Sequence, residues 1–159
     1  MRAINKLLLH LSLVVVLCAF TDAAKRYSFD IPAAWRATDK ENETFSPAGD
    51  NSMGTLGVSL MELKDRRFQT LAEVVHFFLQ PDEKIVQQRE YTVAGQTCWF
   101  AESSQSGAVT NRYIACWPPG KVSVQVLTIV LVTPNSRLAE NDRVFWQAVN
   151  TFRWGTAGR

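Results

Sequence analysis

Between Lys84 and Val132 the chain carries four strand-like runs joined by turns too short to cross a sheet. Lys84 to Val93 is the first, and Ala94-Gly95 turns it. Gln96 to Ser103 is the second, turned by Ser104-Gln105-Ser106-Gly107. Val109 to Trp117 is the third, closed by Pro118-Pro119-Gly120, and Val122 to Val132 is the fourth. Parallel neighbours need a long crossover, so connections this short require antiparallel pairing. The β-branched run Val122, Val124, Val126, Thr128, Val130 and Val132 marks the fourth as a central strand.

The segments around this block complete a pattern. Tyr27-Ser28-Phe29-Asp30-Ile31 alternates apolar and polar residues, as a half-buried strand does, and Pro32 ends it. Trp35 follows in a short turn or second strand. Thr38 to Ser52 is polar, with a brief strand expected at Thr44-Phe45-Ser46 and a turn at Pro47-Ala48-Gly49-Asp50. Gly54 to Leu63 reads as another strand. Thr70 and Glu73 have the spacing of a helix capping box. Leu71, Val74, Val75, Phe78 and Leu79 then form one helical stripe, and Pro81 stops it. A closing helix starts between Ser136 and Asn141 and turns Leu138, Phe145, Val149 and Phe152 to one side, with Glu140, Arg143 and Gln147 on the other. Strands, helix, antiparallel strands, helix: the order predicts an α+β domain whose helices cover an antiparallel sheet.

Cys98 and Cys116 lie on the two arms of one expected hairpin, and their midpoint is Gly107, inside its turn. A register centred there sets them opposite each other, where Cβ atoms come within roughly 5 Å and a disulfide can form. Two buried free thiols are the alternative. The pair lacks the Cys-x-x-Cys spacing of a redox site.

The first residues have the layout of an export signal. Arg2 and Lys6 give a positive start, Leu7 to Phe20 is mostly apolar, and Thr21-Asp22-Ala23-Ala24 offers small residues at a cleavage site. Residues 1–23 therefore read as a cleavable signal peptide, residues 24–154 as the domain and residues 155–159 as a flexible tail. A cut after Ala24 is the other choice, although it puts Asp22 in a restrictive position. His10 and Ser12 interrupt a run already short for a spanning helix, which argues against a retained anchor. Leu17, where a lipoprotein signal wants a small residue, argues against lipidation of Cys18. The expected location is periplasmic or secreted, with no stable membrane insertion after cleavage. Such a compartment lets a disulfide persist.

Charge and motifs narrow the function. Taking Arg2, Lys6 and Asp22 from 17 basic and 15 acidic residues leaves 15 against 14. A chain so near neutrality gives no footprint for nucleic acid or an anionic membrane. Beyond the signal the sole histidine is His76, on the edge of the first helix's stripe, and no nucleophile motif accompanies it. Dinucleotide, Walker and zinc-protease patterns are missing, so no cofactor and no catalytic residue is expected. Asp39, Glu41, Glu43 and Asp50 lack the ordered spacing of a calcium loop and read as a solvated polar segment, with no metal expected. Glu62 with Glu102 can be nominated as a carboxylate pair for glycoside hydrolysis, yet nothing singles it out. Asn42-Glu43-Thr44 matches a glycosylation acceptor, a motif that is common by chance.

Five tryptophans are many for this length. Most belong in a core, but Trp117 stands at a strand end beside a projecting Pro-Pro-Gly turn. With Arg112 and Tyr113 on the same strand, and Lys121 after the turn, it marks an edge for binding another protein. Phe77 points away from its helix's stripe and is a second candidate contact, with structural filling the alternative for each of these aromatics taken singly.

The opening Tyr27-Ser28-Phe29-Asp30-Ile31-Pro32 leading to Trp35, then Phe45-Ser46-Pro47, resembles the PsbP-like superfamily. The single helix, the antiparallel run and the closing Val149-Asn150-Thr151-Phe152-Arg153 extend the resemblance over the whole domain. That group includes the photosystem protein PsbP, a Ran-binding nuclear import factor and bacterial DcrB-like exported proteins. The resemblance implies an α/β/α sandwich and a role in binding other proteins, with no catalytic residues to carry over. Three functions follow as expectations: a periplasmic immunity protein that blocks a delivered toxin enzyme, an accessory factor for envelope or membrane-complex assembly, and, last, a small hydrolase with an unrecognised site.

Overall fold

A computed structural model describes residues 17–24, 26–39, 41, 43–63, 68–120 and 125–156. In chain order the elements are β1 (Leu17–Thr21), β2 (Tyr27–Pro32), β3 (Trp35–Ala37), β4 (Thr44–Pro47) and β5 (Thr55–Glu62). Helix α1 (Leu71–Phe78) is followed by β6 (Glu83–Val93), β7 (Gln96–Gln105), β8 (Val109–Cys116) and β9 (Gln125–Pro134). Helix α2 (Leu138–Thr151) and β10 (Arg153–Trp154) close the chain.

Seven strands form one antiparallel sheet in the order β3-β4-β5-β9-β8-β7-β6. The β-branched run is its middle strand, hydrogen-bonded to β5 on one side and β8 on the other. The strand begins at Gln125, and Val122 and Val124 lie outside the described residues. Edge strand β6 takes a bulge at Val86 and exposes Gln87, Gln88, Arg89 and Glu90. A bulge and charges of this kind keep an edge from recruiting another strand.

Alternation along the strands sends two sets of side chains to two faces. On one face Leu56, Val58, Phe100, Ile114, Leu127, Ile129 and Leu131 pack with Phe145, Ala148, Val149 and Phe152 of the α2 region. Tyr27, Phe29 and Ile31 of β2 join the same core. Asn141 fixes the seat of α2 by donating to Met53 O at 2.7 Å and to Thr133 Oγ1 at 2.8 Å. The approach is close enough that a Cβ on Gly54, where φ is +124°, would collide with the Asn141 amide nitrogen. Only glycine suits that position.

The other face carries Val126, Thr128 and Val130 of β9, with Ala101, Tyr113 and Ala115 beside them. Helix α1 covers part of it through Val74 and Val75, both fully buried. Its capping box forms as expected: Glu73 N donates to Thr70 Oγ1 at 3.2 Å, and Thr70 N to Glu73 Oε2 at 3.2 Å. The domain is thus α+β, with a helix on each face of an antiparallel sheet.

The hairpin register also follows the sequence expectation. Cys98 faces Cys116, with Cα atoms 4.4 Å apart and the sulfurs joined in a disulfide. The bond staples β7 to β8 beneath the α2 core.

A small second sheet, β1-β2-β10, uses part of the expected signal segment. Leu17–Thr21 pairs along β2, and the Phe20 ring lies 5.0 Å from both Phe29 and Phe45. Ala23 and Ala24 are exposed in the connecting turn. Among the described residues no helix is long and apolar enough to cross a membrane.

Candidate functional site

Helix α1 is too short to cover the face it lies on. Eight residues span about 12 Å, whereas the ten residues of β9 run about 34 Å. Beyond Phe78 the described residues leave the sheet open, and a groove of about 450 Å³ begins there. Met61, Val130 and Val132 form its apolar floor with Thr128, and Phe78 and Gln80 form one wall. Asn111 and Tyr113 of β8 and Gln105 of β7 complete it. Val132 is 41% exposed.

Glu83, the first residue of β6, is buried behind the lining residues Asn111 and Tyr113, with only 8% of it exposed. Its Oε1 accepts from Tyr113 OH at 2.7 Å, from Asn111 Nδ2 at 2.8 Å and from Ser103 Oγ. Its Oε2 accepts from the Gln80 backbone amide at 2.9 Å. Burial pushes the carboxyl pKa up, but the bonds from Ser103, Gln80 N, Tyr113 and Asn111 outweigh it and bring it below the usual value. Glu83 is therefore an anion at neutral pH. Tyr113 moves the other way, raised by burial and then by the Glu83 charge, and stays protonated as a donor.

Asn111 is 2% exposed and satisfied on one side only. A carboxylate only accepts, so the amide nitrogen must face Glu83 and the orientation of the side chain is fixed. Its Oδ1 is then left buried without a partner. The rim is tied down by Asp82, which accepts from Gln105 Nε2 at 3.0 Å and from Ser106 Oγ at 2.8 Å.

The expected contact residues divide between the faces. Tyr113 forms part of the groove, Trp117 packs half-buried into the α1 core, and Phe77 is 43% exposed on α1 next to Phe68 and Phe78. Arg112 does not join them. It points to the opposite face and pairs with Glu102 at 3.0 Å and with Asp142 of α2, near the Trp146 ring. Strand β8 is interior, hydrogen-bonded on both sides, so it offers no free edge. Lys121 and Asn42 lie outside the described residues.

Other nominations have structural duties. Glu102 is engaged by Arg112, and Glu62 stands at the end of β5, with β8 and β9 between the two strands. Asp39 Oδ1 accepts from Glu43 N, Glu43 Oε2 accepts from Ser59 Oγ, and Asp50 caps the short turn at Asn51–Met53. His76 is exposed on α1.

Sequence reasoning overlooked Glu83 and Asn111. Asn111 had a signal, because it alternates with Tyr113, Ala115 and Trp117 on the inward side of a strand where an apolar residue belongs. Glu83 had none, since a carboxylate in a turn is ordinarily solvated.

An antiparallel sheet with one helix per face defines the class of fold, and comparison with solved structures gives it a narrower name. No family model matches the chain, and no curated protein matches it. The cyanobacterial PsbP of Synechocystis sp. PCC 6803 superposes with a TM-score of 0.63 at 16% identity, over 89% of this chain and 94% of that one. LpqN of Mycobacterium tuberculosis, described as involved in cell envelope biogenesis, gives 0.62 at 14% identity over 89% and 92%. The Ran-binding protein Mog1p of Saccharomyces cerevisiae gives 0.58 at 8% identity over 88% and 96%. The chain has a PsbP-like fold.

Proposed function

We propose that this chain is an exported, non-catalytic module that binds another protein through the α1 face of its sheet. The groove beside α1 supports this most directly. Met61, Phe78, Val130 and Val132 give it apolar surface, and Gln80, Gln105, Asn111, Tyr113 and Thr128 give it polar groups, a mixture that can fix a bound side chain in orientation. The Glu83 carboxylate behind the groove has hydrogen bonds to both oxygens, the Ser103 hydroxyl is held as a donor to it, and no histidine stands beside it among the described residues, which suits recognition and not turnover. Trp117, Tyr113 and Phe77 belong to this face, and the segment that contains Lys121 follows Trp117 in the chain. Two proteins of similar fold are described by a binding partner and by envelope biogenesis, which is consistent with a binding or accessory role.

Export rests on the signal-like residues 1–23, with the cut after Ala23 in the exposed turn before β2. The exported chain is periplasmic or secreted, and its likeness to DcrB-like proteins belongs to this reading. In its sharper form the module is an immunity protein that blocks a toxin enzyme. Such a role needs export, small size, rigidity and no chemistry. The second form is an accessory factor for envelope assembly, which the LpqN likeness favours.

Affinity capture from the native envelope fraction tests both, with the oxidised exported protein as bait. One stoichiometric partner whose enzymatic activity falls on binding supports the immunity form. A partner within an envelope complex supports the accessory form. Turnover of small substrates without any retained protein contradicts both.

A further inference from the structure

The chemistry of the groove specifies what should occupy it. Among the described residues every hydrogen bond to the buried Glu83 carboxylate comes from a neutral donor, and none of their ion pairs includes it. Buried carboxylates are rarely left without a cation. Next to it stands an acceptor with nothing to accept, Asn111 Oδ1. The surrounding surface is thioether, ring and methyl, from Met61, Phe78, Val130 and Val132. An occupant that satisfies all three features donates a hydrogen bond, carries positive charge and has an alkyl body.

Two cationic side chains meet that description in part. A guanidinium is a planar fork that matches paired acceptors, whereas an ammonium is a point donor on a flexible alkyl stem. Glu83 already has bonds to both of its oxygens, so the buried acceptor left without a donor among the lining residues is a single atom, Asn111 Oδ1, and not a pair. We propose that the groove receives a lysine side chain of the bound partner protein. Its ammonium donates to Asn111 Oδ1 in the field of Glu83, and its stem lies along Met61, Phe78 and Val130. This rests on the protein-binding reading and names the residue type that the partner presents.

The test uses the oxidised exported protein, labelled for NMR, and two probes: Nα-acetyl-lysine methylamide and the same molecule acetylated on Nζ. The lysine probe should shift the Asn111 side-chain amide and the Val130 and Met61 methyls, and saturate. The neutral probe should bind about tenfold more weakly or worse, because it brings an amide where a charge is wanted. Asn111→Leu should abolish the response, but it also strips a donor from Glu83. Val132→Arg, at the exposed rim, is the second variant: it sets a competing cation at the groove and should weaken the lysine probe to a similar degree. Equal response to both probes, no response, or shifts spread outside the groove would overturn the inference. If the probes fail while a captured partner is still lost on Val132→Arg, the lysine assignment falls and the protein-binding reading stands. If no protein is captured either, both fall.

Discussion

Asn111 gives its amide nitrogen to the Glu83 carboxylate at 2.8 Å and leaves its own carbonyl oxygen buried without a donor. One residue thus closes a hydrogen-bond network on one side and keeps an unsatisfied acceptor on the other.

Glu83→Ala should be among the costliest polar substitutions in the domain. It strands donors from Ser103, Asn111, Tyr113 and the Gln80 amide in a buried place. Leaving buried donors unpaired costs about 1–3 kcal/mol each before relaxation, so a loss of about 3 kcal/mol is expected. Glu83→Gln keeps one acceptor and should lose less. Urea denaturation with an unchanged slope is the measurement.

Acid should reveal the same network. The folded Glu83 pKa lies below its unfolded value, so its contribution is complete above the ordinary glutamate value of about 4.3. It is lost as pH falls through the lower folded value. Stability measured from pH 6 downward, a range of about three units, should therefore decline less steeply in Glu83→Gln than in the parent. Identical slopes would remove Glu83 from the acid response.

The Cys98–Cys116 bond closes a sequence separation of 18 residues. Loop-closure entropy on that scale is worth about 3 kcal/mol. Reduction, or the double change Cys98→Ala with Cys116→Ala, should lower stability by about that amount. A thiol count on the denatured, unreduced protein should find neither cysteine free.

Arg112 separates structural from contact residues. Arg112→Met leaves Glu102 and Asp142 without their cation, and Asp142 is 30% exposed, which lets water soften the loss. A cost of about 2 kcal/mol is expected, with no change in the affinity of a protein bound on the α1 face. Thermal melting and a binding titration on the same variant check both.

Much of this fold is legible in the residues, because it depends on local signals. The turn centred on Gly107 sets the hairpin register, so the cysteines could be paired without a structure. Thr70 and Glu73 announce the start of α1, and the β-branched positions of β9 announce a central strand. What those positions do not say is which face is the better covered. The intervening Leu127, Ile129 and Leu131 are all fully buried, whereas of the β-branched positions Val126 is buried and Val132 reaches solvent. That difference follows from the length of α1 and from where α2 returns, both of which are matters of tertiary packing. The groove is hidden for the same reason. Glu83, Ser103, Asn111 and Tyr113 come from three strands, and only the assembled sheet brings them together. Arg112 shows the converse, since adjacency to Tyr113 in sequence means opposite faces in a strand.

Binding of a protein partner to the α1 face can be tested by one comparison. The dissociation constant of the captured partner is measured for the parent and for Val132→Arg, with circular dichroism showing both folded. A rise of about tenfold or more in the variant, with unchanged binding by Arg112→Met, is the predicted result. Equal affinity for the parent and Val132→Arg would place the interface elsewhere and contradict the account.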